Sequence, residues 1–282
     1  MQRAEVALKR IGEVLEAEET IQSPTKSAER PKSGDLEVRH LCFRYPPSNG
    51  IDGQRRDALC DVSLMARVGE CVALVGRIGC GKSTLIKALL RMVEVPEGAV
   101  FYGGIDVHSL DLSILRRFVA HVPQDDFLFS TSVHKNLTLA CKDIRADQVA
   151  EAAKIAAVDR EIESFPLGYH TRLGERGLTV SGGQRQRLSL ARALLRPSPV
   201  LLLDDCLAAV DAETAAHILR TLRERRDTTC VIAAHRLQSI RHADRIYVLE
   251  RGAIVQTGTH QELSQTPGLY RDLWEQQCLE LE

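Results

Sequence analysis

The chain has 282 residues, 44% of them hydrophobic and 27% charged, which is an ordinary balance for a globular protein with a sizeable core. Lys and Arg total 37 against 38 Asp and Glu, a formal net charge of −1, so bulk charge gives no reason to expect nucleic acid as a partner. Apolar runs such as residues 72–75 and 200–203 fall far short of the ~20 residues a membrane-crossing helix needs, and Met1-Gln2-Arg3-Ala4-Glu5 is no secretory leader, so the expectation is a chain that neither crosses a membrane nor is exported.

Residues 2–18 place Val6, Leu8, Ile11, Val14 and Leu15 among charged neighbours, a helical period with one apolar stripe. Residues 23–34 hold two prolines and no apolar run, and read as a linker. The expected organisation is an amphipathic helix over 1–20, a linker over 21–34 and a main domain over 35–282. Alternation at Leu36, Val38, Leu41 and Phe43 predicts one or two strands, and another is expected near 62–65. Cys71-Val72-Ala73-Leu74-Val75 is apolar at every position, as a strand buried on both faces must be. Glycines end it, and Leu85, Ile86, Leu89 and Met92 then mark a helix. Short, mostly apolar strands recur at 119–122, 200–203 and 229–233, with helices expected at 148–158, 184–195 and 212–225. A hairpin is expected from 246–249 through Arg251-Gly252 to 253–256, and no repeat of fixed period is present. The alternation predicts an α/β fold with a mainly parallel sheet.

The eight cysteines, at 42, 60, 71, 80, 141, 206, 230 and 278, show no metal or redox spacing and read as buried thiols of a reducing compartment. Asn136-Leu137-Thr138 fits a glycosylation sequon that a cytosolic chain would never present to the enzyme.

Gly76-Arg77-Ile78-Gly79-Cys80-Gly81-Lys82-Ser83 fits the pattern of a phosphate-binding loop, between a buried strand and a helix as that pattern requires. Glycines let backbone N–H groups converge on phosphate oxygens, and the helix N-terminus adds its dipole. Lys82 supplies a mobile charge for the outer phosphates and Ser83 a hydroxyl for Mg²⁺. Asp204 and Asp205, closing the strand at 200–203, are the natural second half: Asp204 for Mg²⁺, Asp205 facing the attacking water. Val180-Ser181-Gly182-Gly183-Gln184 is a second capped helix start able to hold phosphate. One nucleotide already has a cradle, so a lone second turn suggests a dimer in which each chain completes the other's site.

In this order the motifs resemble the nucleotide-binding domain of an ABC transporter, from about Asp35 to Gln277. Residues 180–184 resemble its signature turn with Val for the leading Leu, Val122-Pro123-Gln124 its Q-loop, Ala209-Val210-Asp211 its D-loop, and Ala234-His235-Arg236 its H-loop. Tyr45 resembles the aromatic that stacks on adenine. Gly174-Glu175-Arg176-Gly177 resembles the x-loop of exporters, as does the tail through Gly258-Thr259-His260-Gln261-Glu262-Leu263, pointing to the multidrug and lipid exporters.

The resemblance implies a P-loop NTPase (RecA-like) core with an antiparallel β subdomain and a helical signature subdomain over about 124–190. It implies that Gly76, Arg77, Ile78, Gly79, Cys80, Gly81, Lys82, Ser83 and Thr84 bind ATP, and that Ser83, Gln124 and Asp204 arrange Mg²⁺. Asp205, His235 and Gln124 would be catalytic, while Ser181, Gly182, Gly183, Gln184 and Asp211 would serve the opposite chain's nucleotide. It further implies a second ATPase domain as partner, a transmembrane domain in a separate or missing segment, a place on the cytoplasmic face of the membrane, and a helix at 2–18 continuing from the last membrane segment.

The family usually carries Glu where this chain has Asp205. Some exporters are heterodimers in which one half has Asp there and hydrolyses poorly, so a degenerate half of a heterodimer is favoured over a slow homodimer. Cys80 stands where relatives often have Ser, and inhibition by thiol reagents relieved by ATP is expected. The other readings are a non-transport ABC ATPase acting on DNA or the ribosome, an importer ATPase, and a regulatory nucleotide binder without turnover.

Overall fold

The computed structural model describes residues 2–16, 20–46, 57–139, 141, 143–174 and 179–279. Helix α1 spans Gln2–Leu15. Its apolar residues Val6, Leu8, Ile11 and Leu15 are all exposed. No helix among the described residues is long and apolar enough to cross a membrane.

The segment read as a linker lies along the domain. Its Ser23 and Ser27 hydroxyls accept from the backbone N–H groups of Leu112 and Asp111, and Ala28 N–H donates to the Ser109 carbonyl. Gly34 is pinned by Thr229, whose hydroxyl donates to its carbonyl at 2.8 Å.

Strands β1 (Leu36–Phe43) and β2 (Leu59–Ala66) pair antiparallel. Strand β3 is Cys71–Val75, and helix α2, Lys82–Leu89, follows the glycine loop. Strands β4 (Val100–Tyr102) and β5 (Ile105–Asp106) complete a four-stranded sheet of order β2-β1-β4-β5. Helix α3 (Leu112–Phe118) leads into β6 (Val119–Val122). A helical region follows: α4 (Val133–Leu137), α5 (Ala146–Ile155), α6 (Asp159–Ser164) and α7 (Gly182–Leu194). Then come β7 (Val200–Asp204), α8 (Ala212–Glu224), β8 (Thr229–Ala233) and α9 (Leu237–Ile240). The expected hairpin is β9 (Arg245–Glu250) with β10 (Ala253–Gly258), and α10 (His260–Gln265) and α11 (Leu269–Leu279) end the described chain.

The main sheet has six strands in the order β10-β9-β3-β8-β7-β6, parallel except for β10. Side chains alternate across it with the period of two that strands impose. Ala73, Val75, Leu201, Leu203 and Ile232 join one core with α5, α7 and α8. Val72, Leu74, Val200, Leu202 and Val231 join the other, with α2 and the antiparallel sheet. Burial of each such Val or Leu is worth about 1.5–3 kcal/mol, which fixes register and aligns the C-terminal ends of β3, β7 and β8 side by side.

The cysteine expectation holds in part. Cys71, Cys80, Cys206 and Cys230 are buried, but Cys42 and Cys60 are exposed. They sit on the solvent face of the β1–β2 pair, where alternation turns every second side chain outward.

Candidate functional site

The glycine loop begins where β3 leaves the sheet and ends in the first turn of α2. Gly81 has φ 112°, and a Cβ there would stand 2.7 Å from the Ala58 carbonyl oxygen. Only glycine fits, and the close approach locks the loop against β2. Gly252 N–H donates to the Cys80 carbonyl at 3.0 Å, closing the other side with the β9–β10 turn. No side chain caps α2, so the amides of its first turn are available to an anion. At the crest, Ile78 is 89% exposed, so the mouth of the cradle is open.

Lys82 is buried, and its ammonium donates to the carbonyls of Gly76 at 2.8 Å and Arg77 at 3.3 Å. The Ser83 hydroxyl donates to Asp204 Oδ1 at 3.0 Å, joining α2 to the end of β7. These are two hard oxygen donors at one point under the loop, the donor type Mg²⁺ selects. The residues fit that ion.

Asp205 stands one residue beyond β7 with φ 48°, its N–H donating to the Ala233 carbonyl at 2.9 Å. Its carboxylate accepts from His235 N–H at 3.3 Å and lies 3.9 Å from His235 Nε2. Burial pushes the Asp205 pKa up, against the pull of His235 and Lys82. A raised carboxylate is a better proton acceptor. His121, on β6, is pushed down by burial, with Asp204 opposing.

Ser181 caps α7, accepting from Gln184 N–H, while Gln184 Oε1 accepts from Ser181 N–H. The turn also packs within the chain: a Cβ on Gly183 would stand 2.8 Å from the Ala209 carbonyl oxygen. Gln186, buried on α7, accepts from Ala209 N–H at 2.8 Å. Asp211 caps α8 by accepting from Thr214 N–H, and that bond lowers its pKa. Tyr45 reaches the loop through Thr84, hydroxyl to hydroxyl at 3.4 Å, and stands edge-on to Phe43. Gln124 is exposed in the turn after β6 and makes no hydrogen bond to Ser83, Asp204 or Asp205. Of the x-loop residues, Glu175, Arg176 and Gly177 lie outside the described residues, while Gly174 N–H donates to Thr179.

The structure therefore gathers Lys82, Ser83, Asp204, Asp205 and His235 into one place, with Tyr45 and Thr84 at its edge. Residues 59–208 match the family described as ABC transporter. This chain belongs to the ABC transporter family. Its fold is the ABC ATP-binding domain, a P-loop NTPase.

Among its relatives, the "probable multidrug resistance ABC transporter ATP-binding/permease protein YheI" of Bacillus subtilis is 39% identical over 99% of this chain and 47% of that protein. The "ATP-dependent lipid A-core flippase" of Methylococcus capsulatus is 39% identical over 86% of this chain and 40% of its own length. In structure, a bacterial Atm1-family ABC exporter with ATP bound superposes with a TM-score of 0.85 at 31% identity, covering 98% of this chain and 47% of that one. The chain thus spans less than half the length of these relatives.

Sequence reasoning missed two residues of this ABC domain, Gln186 and Gln277. Gln186 is the hold on the D-loop described above. Gln277 bonds the backbone on both sides of Arg236. Both are glutamines on helices, and no local motif marks them.

Proposed function

We propose that this chain is the ATP-hydrolysing motor of an exporter, acting at the cytoplasmic face of a membrane through a transmembrane partner and a second ATPase domain. The observation that carries the reading is the Ser83–Asp204 contact beneath the glycine loop, with Asp205 and His235 beside it. Backbone amides of residues 79–84 and the Lys82 ammonium bind the phosphates of ATP, the ammonium exchanging its carbonyl partners for phosphate oxygens. Tyr45 stacks on the adenine. Ser83 and Asp204, with Gln124 brought in on closure, hold Mg²⁺, which when bound neutralises charge on the outer phosphates. Asp205 accepts a proton from the attacking water, and His235 orients that water against the γ-phosphate.

Ser181 and its glycines close over the nucleotide of the opposite domain, and Asp211 lies at the same interface. ATP then acts by shifting the population from open to closed dimers. Movement passes outward through α7, where Arg192 donates to the carbonyls of Asn136 and Phe127 and so ties the signature helix to the segment after Gln124. The exposed pair Phe127 and Phe129, edge to face at 4.8 Å, offers the membrane domain an apolar foothold. The exposed apolar stripe of α1 serves as a second contact for the same domain. Asp205 in the usual Glu place favours slow hydrolysis at this site and a heterodimer whose partner holds the faster one.

The test is Mg²⁺-dependent phosphate release by the chain and by Lys82→Ala. Release that depends on Mg²⁺ and is lost in the variant supports the reading. Release that survives the variant or a chelator overturns it.

A further inference from the structure

We propose that Gln277, on α11, is a positioning residue for His235, a role that rests on the reading of His235 as the residue orienting the attacking water. The Gln277 amide Nε2 donates to the His235 carbonyl at 2.6 Å, and its Oε1 accepts from Leu237 N–H at 2.8 Å. One side chain therefore grips the backbone on both sides of Arg236. It also supplies what α9 lacks, because Arg236, at the start of that helix, offers no capping side chain.

Packing anchors the loop at its ends, where Ala234 and Leu237 are buried, and leaves His235 itself less enclosed. His235 lies between two cavities. One, of about 570 Å³, runs behind Asp205 between α8 and α9, walled by Leu207, Ala215, Leu219 and Ile232. The other, of about 560 Å³, opens toward Gly76, Arg77 and Ile78. Gln277 lines both. With open space on either side of His235, polar contacts hold the backbone between those buried ends. Asp205 Oδ1 takes the His235 N–H at 3.3 Å, and Arg236 donates to the Val210 carbonyl at 2.9 Å. Among the described residues, the hydrogen bond to the His235 carbonyl comes from Gln277.

The helix that carries Gln277 is itself held. Tyr270 is fully buried, shares a 2.8 Å hydrogen bond with His260 Nδ1, and donates its N–H to Gln256 Oε1 at 3.0 Å. Gln277 thus transmits the placement of α11 to the backbone that carries His235. A displacement of about 1 Å at a positioning group is enough to cost up to ~100-fold in rate.

The test is steady-state hydrolysis by the full chain, with wild type, Gln277→Leu, Gln277→Glu, His235→Ala and the His235→Ala/Gln277→Leu double variant. Gln277→Leu removes both bonds at similar volume. Gln277→Glu keeps the acceptor for Leu237 and sets a second acceptor against the His235 carbonyl. The expected result is a kcat about 10-fold lower in both, with KM for ATP within about twofold, and no further loss when Gln277→Leu is added to His235→Ala. A second readout needs no turnover: the imidazole Cε1–H signal of His235, single in wild type, broadens or splits in Gln277→Leu.

An additive loss in the double variant, or an unchanged signal, overturns the proposal. So does unchanged kcat in both Gln277 variants while His235→Ala is impaired, and the reading of His235 then stands. Full activity of His235→Ala overturns that reading and the proposal with it.

Discussion

Asp205 and His235 face each other from the ends of adjacent parallel strands, with the carboxylate accepting the histidine's backbone N–H at 3.3 Å and standing 3.9 Å from Nε2. The carboxylate is thereby tied toward the end of β8. One added methylene advances it by roughly 1–1.5 Å, the scale on which positioning and general-base effects are felt. Asp205→Glu should raise the rate of phosphate release by about 10-fold or more, and Asp205→Asn should lower it. Equal rates for wild type and Asp205→Glu would remove the case for a throttled site.

How far the sequence revealed this depended on how local the determinants were. Strands at 71–75, 119–122 and 229–233 fall where their short, mostly apolar runs put them, because a strand covered on both faces needs apolar residues at nearly every position, with His121 and Thr229 as the polar exceptions. The helix expected at 148–158 instead runs from Ala146 to Ile155. Gln148 Oε1 accepts from Arg145 N–H and starts it early, and Ala157, at φ 52°, lies past its end. The short strands β4 and β5 carry too few residues for a period to show. The glycine loop and both aspartates were legible because a phosphate site needs those residue types at fixed spacing. Gln277 was not, since its hydrogen bonds join backbone about 40 residues away, and only the folded arrangement of α9 and α11 brings them together.

Gly183 has a duty inside its own chain that can be separated from any contact with a partner. Its missing Cβ lets the Ala209 carbonyl approach, whereas at Gly182 the nearest atom to a Cβ would be the Ala209 methyl at 3.3 Å. Gly183→Ala should destabilise the isolated chain by about 1–3 kcal/mol, and Gly182→Ala by about 1 kcal/mol or less. Urea unfolding without nucleotide measures both. Equal midpoints would show that the α7 turn yields without disturbing the D-loop.

Cys80 sits inside the nucleotide loop but is only 5% exposed, with its sulfur 3.7 Å from the Lys82 ammonium. Reagents reach it only when the loop opens. Maleimide should therefore label Cys42 and Cys60 first, on the open face of β1 and β2, while Cys80 reacts slowly and more slowly still with ATP bound. Peptide mass spectrometry over a time course gives the order. Labelling of Cys80 as fast as Cys42 would mean the loop is open most of the time.

His260 links pH to the placement of α11. It bonds Tyr270 at 2.8 Å and lies edge-on to Trp274 with ring centroids 4.6 Å apart. Burial, aided by the charges of Arg241 and His242, pushes its pKa below the ordinary histidine value. The folded chain thus favours neutral His260, while the unfolded chain takes up a proton once pH drops below about 6.5. The sign follows: this contribution is complete above that ordinary value and is lost as pH falls through the lower native-state value. Wild type should lose urea midpoint between about pH 7.5 and pH 5.5 by more than His260→Gln does, a substitution that keeps a hydrogen-bonding group beside Tyr270 without the charge. If the two midpoints fall in parallel, the acid sensitivity lies elsewhere. If they diverge, the hold of α11 on the His235 loop should weaken over the same range, and the Leu237 amide, which Gln277 protects, should exchange faster in wild type at the lower pH after correction for intrinsic rates.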